Sequence, residues 1–289
     1  MRPRIRLLIC DLDNTLYDWV TYFSTAFYAM VEVASQLLET SKDVLLDDLQ
    51  EVHRKRHNSE EPWALLETRT VEARYAELSR AERKTLLDPA FYAFNRARKR
   101  TLAPYPGVIE TLEIVSGSGC TIVGHTEATV VNALFRLHKL NLTRFLTALY
   151  AVEPLGLGHP DPKGAEILDQ VPSVRRLQLH ERKPDPEVLN EICFSLDKAA
   201  EETLYVGDSI SRDIGMAKEA GVYSAWAKYG TKYDPEHWDR LVRITHWTDE
   251  DVKRATEAKR KYGSVLPDTI LEESFSELRD QFSFVGSGT

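Results

Sequence analysis

An apolar run that ends abruptly in two carboxylates constrains this chain more than any other feature. Leu7-Leu8-Ile9-Cys10 runs into Asp11-Leu12-Asp13-Asn14-Thr15-Leu16. A short apolar run closed by a turn signal reads as a buried strand. In extended backbone, residues i and i+2 share a side, so Asp11 and Asp13 should emerge together at the strand's C-terminal end. Like charges that close repel, and one of them tends to hold a proton unless a cation intervenes. Such a pair is a poor way to stabilise a fold. It suits a metal site, or a nucleophile beside a general acid. A solvated turn after a strand is the bland alternative, and the rest of the chain has to decide.

Similar apolar runs recur at Cys120–Gly124, Ala148–Val152, Thr203–Gly207 and Val222–Trp226. Helical patterns lie between them at Glu127–His138, Glu187–Leu196 and Arg212–Ala220. Short buried strands alternating with helices predict an α/β fold, a parallel sheet with helices on both faces. In such sheets the site lies beyond the C-terminal strand ends.

The stretch from Leu16 to Ala103 breaks this rhythm. Trp19–Leu38, Lys42–His57, Glu61–Leu78 and Ala81–Arg100 all read as helices, and Pro104-Tyr105-Pro106-Gly107 closes the block. The predicted organisation is a core made of 1–16 plus 104–289 and an inserted all-helical cap at 17–103. The block leaves the core right beside the two aspartates, so it is placed to cover them. Toward the C-terminus, Asp249–Lys261 and Pro267–Phe282 read as helices, with Pro267 near a first turn.

With 43% hydrophobic residues, the 289-residue chain can bury a sizeable core. A formal net charge of −8 argues against a nucleic-acid polymer as partner, which wants a basic face. No apolar run reaches the roughly 20 residues of a membrane span, so no membrane partner is expected. The apolar run after the basic N-terminus meets Asp11 too soon for a signal peptide. The three cysteines, Cys10, Cys120 and Cys193, form neither a disulfide framework nor a zinc spacing. Cys10 reads as a packing residue, and a cytoplasmic location is the default.

Three more pieces sit at predicted strand ends or helix starts: Gly124-His125-Thr126, Lys183-Pro184-Asp185-Pro186, and Gly207-Asp208-Ser209 with Asp213. Together with Asp11-Leu12-Asp13-Asn14-Thr15, these pieces match in order the motifs of the haloacid dehalogenase superfamily. The chain resembles that superfamily's phosphatase branch from about residue 5 to residue 227. The resemblance implies a Rossmann-like parallel core with a helical cap between the first and second motifs.

It also implies a chemistry. Phosphomonoester hydrolysis needs on the order of 20 kcal/mol of barrier lowering, and covalent catalysis splits that task. Asp11 would attack phosphorus to form an aspartyl-phosphate. Asp13 would protonate the leaving alkoxide, then take a proton from water, and the charge of Asp11 should help keep it protonated at the start. Thr126 and nearby N–H groups would hold the phosphoryl oxygens. Lys183 would favour ionised Asp11. Mg²⁺ would be held by Asp11, Asp208 and the Asp13 carbonyl, with Asp213 acting through water or by orienting the shell. The expected partner is a small phosphorylated metabolite of nucleotide or sugar phosphate type, and the oligomeric state stays open.

Each piece also has a bland reading. Thr126 could be the N-cap of a helix starting at Glu127. Asp213 could be a first-turn anion. Lys163 rivals Lys183. His125 and Glu127 could touch substrate, while His180 reads as surface. Tyr17 and Trp19 either flank a pocket mouth or pack. Arg54–His57 and Arg96–Arg100 are cationic clusters that mostly mark solvated faces. The run from Phe145 to Lys183 is longer than the family pattern, implying an insertion over about 154–177 that is either a lid or decoration. A dehalogenase would not need Asp13 as acid; a phosphomutase or a phosphate-binding module without turnover would keep the same core.

Overall fold

The computed structural model describes residues 2–56, 58–153, 173–245 and 247–286. The chain divides into two compact units. One comprises Met1–Asp18, Ala103–Lys232 and Lys253–Thr289; the other comprises Trp19–Leu102 and Tyr233–Val252.

Among the described residues, the first unit is built on a seven-stranded sheet. Its strands are β2 (Leu7–Cys10), β3 (Thr121–Thr129), β4 (Ala148–Val152), β5 (Val174–Leu177), β6 (Thr203–Gly207), β7 (Tyr223–Ala227) and β8 (Thr269–Leu271). The order is β5-β4-β3-β2-β6-β7-β8, and every neighbouring pair is parallel. A separate parallel pair joins β1 (Arg4–Ile5) to β9 (Ser283–Phe284). β2 sits between β3 and β6, and its four residues are all buried, which explains why its sequence is apolar without alternation. Leu7 and Ile9 pack with Val188, Leu189 and Ile192 of the helix Pro186–Ser195 and with Met216 and Ala217. The chain builds outward from β2 to β5, then returns to β6 on the other side. That reversal is where open parallel sheets leave a crevice at their C-terminal rim.

The helical unit contains α1 (Trp19–Leu37), α2 (Lys42–Arg56), a 3₁₀ turn at Pro62–Glu67, α3 (Arg69–Arg74), α4 (Arg80–Leu86) and α5 (Asp88–Thr101). Phe23, Phe27, Met30 and Ala34 form an i, i+4, i+7, i+11 stripe on α1 that is buried with Phe91 and Phe94 of α5. Phe27 meets Phe94 edge-on with ring centroids 5.1 Å apart. Each such ring contributes about 1.5–3 kcal/mol by burial. Among the described residues, no helix is long and apolar enough to cross a membrane.

Several elements differ from the sequence reading. Glu61–Leu78 is not one helix, because Thr68 ends the 3₁₀ turn in extended backbone and its side chain caps α3. The Ala81–Arg100 helix is split by Pro89, which sits in the first turn of α5 and cannot continue α4. Pro267–Phe282 is not a helix: it holds β8 at the sheet edge, a 3₁₀ turn capped by Ser274 and Glu277, and only the short helix Leu278–Gln281. The segment 233–252, assigned above to the core, clusters with the helical unit. Its helix Pro235–Ile244 buries Leu241 and Ile244 in that unit's apolar cluster. Of the presumed 154–177 insertion, 174–177 is the edge strand β5; residues 154–172, with Lys163, lie outside the described residues.

Candidate active site

The C-terminal rim beside β2 gathers the acidic residues. Asp11 leaves the strand with its N–H donated to Val206 O at 2.9 Å. The chain then turns tightly, with Asn14 in the left-handed region at φ 58° and Leu16 N bonded to Leu12 O at 2.8 Å. Asn tolerates that conformation better than other side-chain-bearing residues. Gly230 closes on this turn: a Cβ there would lie 1.6 Å from the Asn14 carbonyl oxygen.

Asp11 and Asp13 have different surroundings. Asp11 is buried; it accepts from Lys183 Nζ at 2.5 Å and from Thr15 Oγ1 at 2.9 Å. Lys183 Nζ also donates to Asp213 Oδ1 at 2.8 Å. Burial alone would push the lysine pKa down, but the carboxylates of Asp11 and Asp213 outweigh it and hold the ammonium well above the ordinary lysine range. Asp13 instead faces the guanidinium of Arg136, whose Nη2 lies 3.2 Å from its carboxylate.

Asp11, Asp208 and Asp213 each offer a carboxylate oxygen within 4.8 Å of the others. Asp208 follows β6, and its carbonyl accepts from Trp226 Nε1 at 2.8 Å. Burial, then the charges of Asp213 and Asp11, push its carboxyl well above the ordinary aspartate value. Asp213 lies in a π-helical turn, Ile210–Ile214, where its Oδ2 accepts from Ser209 N at 2.9 Å. Gly207 makes room for it, since a Cβ there would meet Asp213 Cγ at 2.4 Å. Three hard oxygen donors whose charge exceeds that of one ammonium suit Mg²⁺.

Thr126 is buried in β3, beyond the last residue of that strand paired with β2, and its Oγ1 accepts from Ala128 N at 3.0 Å. The helix α6 (Val108–Gly117) precedes β3, and the following helix, α7 (Val130–Lys139), begins after Thr129, so Thr126 is not its N-cap. His125 is buried, with Nδ1 3.3 Å from the Tyr205 hydroxyl, which donates to Asp213 Oδ1 at 3.3 Å. Burial, then the Lys183 charge, push the imidazole well below the ordinary histidine range. Glu127 pairs with Arg212 at 2.8 Å and Arg254 at 3.3 Å. His180 is exposed, as read. Arg56 is committed to Glu61 and Glu67, so that part of the first cationic cluster is structural. Cys10 has no exposed surface, and burial, aided by Asp11, raises its thiol far above the ordinary value.

Sequence reasoning missed Arg136, Tyr205, Trp226 and Gly230. Only the arginine left a trace, as a charge within the apolar run of α7, and nothing local names its partner.

The family model of the haloacid dehalogenase-like hydrolases matches residues 5–221. The chain belongs to that family. It is 25% identical over 236 residues to a glyceraldehyde 3-phosphate phosphatase of Methanopyrus kandleri, covering 80% of this chain and 88% of the relative. It is 30% identical over 236 residues to a phosphoglycolate phosphatase of Vibrio parahaemolyticus, covering 78% of this chain and 85% of the relative. The fold is similar to that of a 2-haloacid dehalogenase from Pseudomonas syringae pv. Tomato, with a TM-score of 0.56, 20% identity, and 96% and 97% of the two chains covered.

Proposed function

We propose that this chain is a Mg²⁺-dependent phosphatase that hydrolyses a small phosphomonoester through an aspartyl-phosphate at Asp11. The observation that carries this reading is the split between the two aspartates: Asp11 is bonded to Lys183, whereas Asp13 is bonded to Arg136. A carboxylate beside an ammonium is a nucleophile whose charge is balanced. A carboxyl group two residues away, bonded to a different cation, is placed for a different task, proton transfer.

In this reading an Asp11 oxygen bonds to phosphorus as the ester P–O bond breaks, and Asp13 delivers a proton to the departing oxygen. Water then attacks the phosphorus of the aspartyl-phosphate and gives a proton to Asp13, while the bond between phosphorus and the Asp11 oxygen breaks, releasing phosphate and restoring the Asp11 carboxylate. Thr126 and the N–H groups of the turn after β2 hold the phosphoryl oxygens. Lys183 keeps Asp11 and Asp213 in place and balances their charge. Asp11, Asp208, Asp213 and the Asp13 carbonyl would hold Mg²⁺, which supplies charge neutralisation for the phosphoryl group. The curated relatives bear the names of enzymes acting on phosphoglycolate and glyceraldehyde 3-phosphate, which supports a small phosphorylated metabolite as substrate. Three free, buried thiols fit a reducing, cytoplasmic setting.

The test is turnover of p-nitrophenyl phosphate and of a panel that includes phosphoglycolate, glyceraldehyde 3-phosphate, sugar phosphates and nucleotides, with and without Mg²⁺. Asp11→Asn and Asp13→Asn should each abolish turnover of alkyl phosphates. Full activity in Asp11→Asn overturns the nucleophile. A wild-type protein that turns over no phosphate ester overturns the enzymatic reading.

A further inference from the structure

Arg136 is the largest of the side chains with under 2% exposure. A charged side chain so placed is costly to bury unless it is paired and hydrogen-bonded. Its partners lie in the turn after β2, on the far side of the sequence from α7. Nε donates to the Tyr17 hydroxyl at 2.9 Å, and Nη2 lies 3.2 Å from the Asp13 carboxylate. The guanidinium also lies over the Tyr17 ring, 5.6 Å from its centroid. Tyr17 has no exposed surface and its hydroxyl is hydrogen-bonded to Asp13 as well. A phenol that accepts from Arg136 has its own proton left to give, and Asp13 receives it. The Asp13 carboxyl group is therefore met by two donors, one from a helix and one from its own turn.

The backbone adds to this. Asp13 and Tyr17 form an isolated bridge, and Asn14 N donates to Tyr17 O at 2.9 Å, so both side chains hang from one closed turn. Tyr17 is bridged in turn to Pro104. The carboxyl group keeps only part of its surface open, with the side chain 21% exposed.

We infer that Arg136 and Tyr17 are positioning residues that fix the orientation of the Asp13 carboxyl group for proton transfer to the leaving oxygen, an inference that rests on the role proposed above for Asp13. A reacting group must sit within a fraction of an ångström of its productive place, and a carboxyl group on a turn has at least two torsions to lose. A planar guanidinium wedged between a phenol and a carboxylate removes both. A lysine could not reproduce that fork.

The experiment compares p-nitrophenyl phosphate, whose phenolate departs without a proton, with the fastest alkyl phosphate of the panel, whose alkoxide needs one. Both are measured as kcat/KM in saturating Mg²⁺, which reports the steps up to leaving-group departure. Arg136→Met should lower kcat/KM for the alkyl phosphate by about 100-fold, the scale of lost general acid catalysis, through kcat and not KM. The aryl ester should lose less than about a tenth of that factor. Tyr17→Phe should change in the same direction by a smaller factor. Adding Arg136→Met to Asp13→Asn should cost nothing further. Equal losses on the two esters, or wild-type rates in a folded Arg136→Met, overturn the inference. If Arg136→Met does not fold, Tyr17→Phe and Arg136→Lys, which keep volume or charge, carry the same comparison. An active Asp13→Asn on the alkyl ester would instead sink the underlying reading of Asp13, whatever Arg136 does.

Discussion

Lys183 Nζ lies between Asp11 Oδ1 and Asp213 Oδ1, at 2.5 Å and 2.8 Å, and thereby ties the end of β2 to the turn after β6. Lys183 is itself buried, so the ammonium cannot trade these carboxylates for water. Removing one partner of a buried pair leaves the other uncompensated and costs about 3–5 kcal/mol. Lys183→Met should lose stability on that scale in urea unfolding with metal chelated. Its turnover should fall by about 100-fold or more even when Mg²⁺ is restored.

Asp208 reports on the cation. Its carboxyl is pushed up by burial and by the charges of Asp213 and Asp11, so a cation bound there competes with protons for it. Mg²⁺ affinity should therefore rise with pH. In a thermal melt Mg²⁺ should stabilise the wild type, by about 2.7 kcal/mol at a hundredfold excess over Kd. Asp208→Asn should lose most of that shift. A wild-type melting curve that ignores Mg²⁺ would remove the metal site.

Gly230 lets two backbone segments touch. With a Cβ only 1.6 Å from the Asn14 carbonyl oxygen, Gly230→Ala has to displace the turn that carries Asp13. Overpacking of this kind costs about 1–3 kcal/mol. Turnover should drop sharply while far-ultraviolet circular dichroism stays that of the wild type.

Leu241 tests where 233–252 belongs. Leu241 and Ile244 are buried in the cluster of α1, α2 and α5, and the Ile244 carbonyl lies 2.7 Å from His53 Nδ1. Leu241→Ala should cost about 2–5 kcal/mol of stability in the helical unit, read by urea unfolding or by limited proteolysis between Trp19 and Leu102.

The thiols give a pH dependence. Burial holds the Cys120 thiol up to about 12, against 9.0 ordinarily. The unfolded chain loses that proton from pH 9.0 upward while the folded chain keeps it, so stability should fall as pH climbs between those values. The slope is at most about 1.4 kcal/mol per pH unit for one thiol. Native protein should resist alkylation at neutral pH, and urea should expose all three thiols, as mass spectrometry would show.

Much of the core was legible locally. β2, β4, β6 and β7 follow from short, largely apolar runs, because strands of a sheet covered on both faces carry few polar residues. α1 and α2 were legible because their buried residues recur at helical spacing. β5 and β8 were not: each is short, and β5 carries Arg175 and Arg176, so only pairing with β4 makes it a strand. The helix Pro235–Ile244 is amphipathic, but nothing in its own residues says which unit it covers.

The chain by itself marked the candidate residues, Asp11, Asp13, Thr126, Lys183, Asp208 and Asp213, because each falls at an expected strand end, helix start or turn, where local pattern is enough to single it out. Tertiary structure alone decided what each one meets. The spacing of Asp11 and Asp13 predicts one shared environment, yet the turn after Cys10 sends Asp11 to Lys183 and Asp13 to Arg136. Those partners stand 172 and 123 residues away along the chain. A buried charge is placed by its counter-charge, and only the packing of α7 and of the turn before Pro186–Ser195 against the sheet brings those counter-charges in.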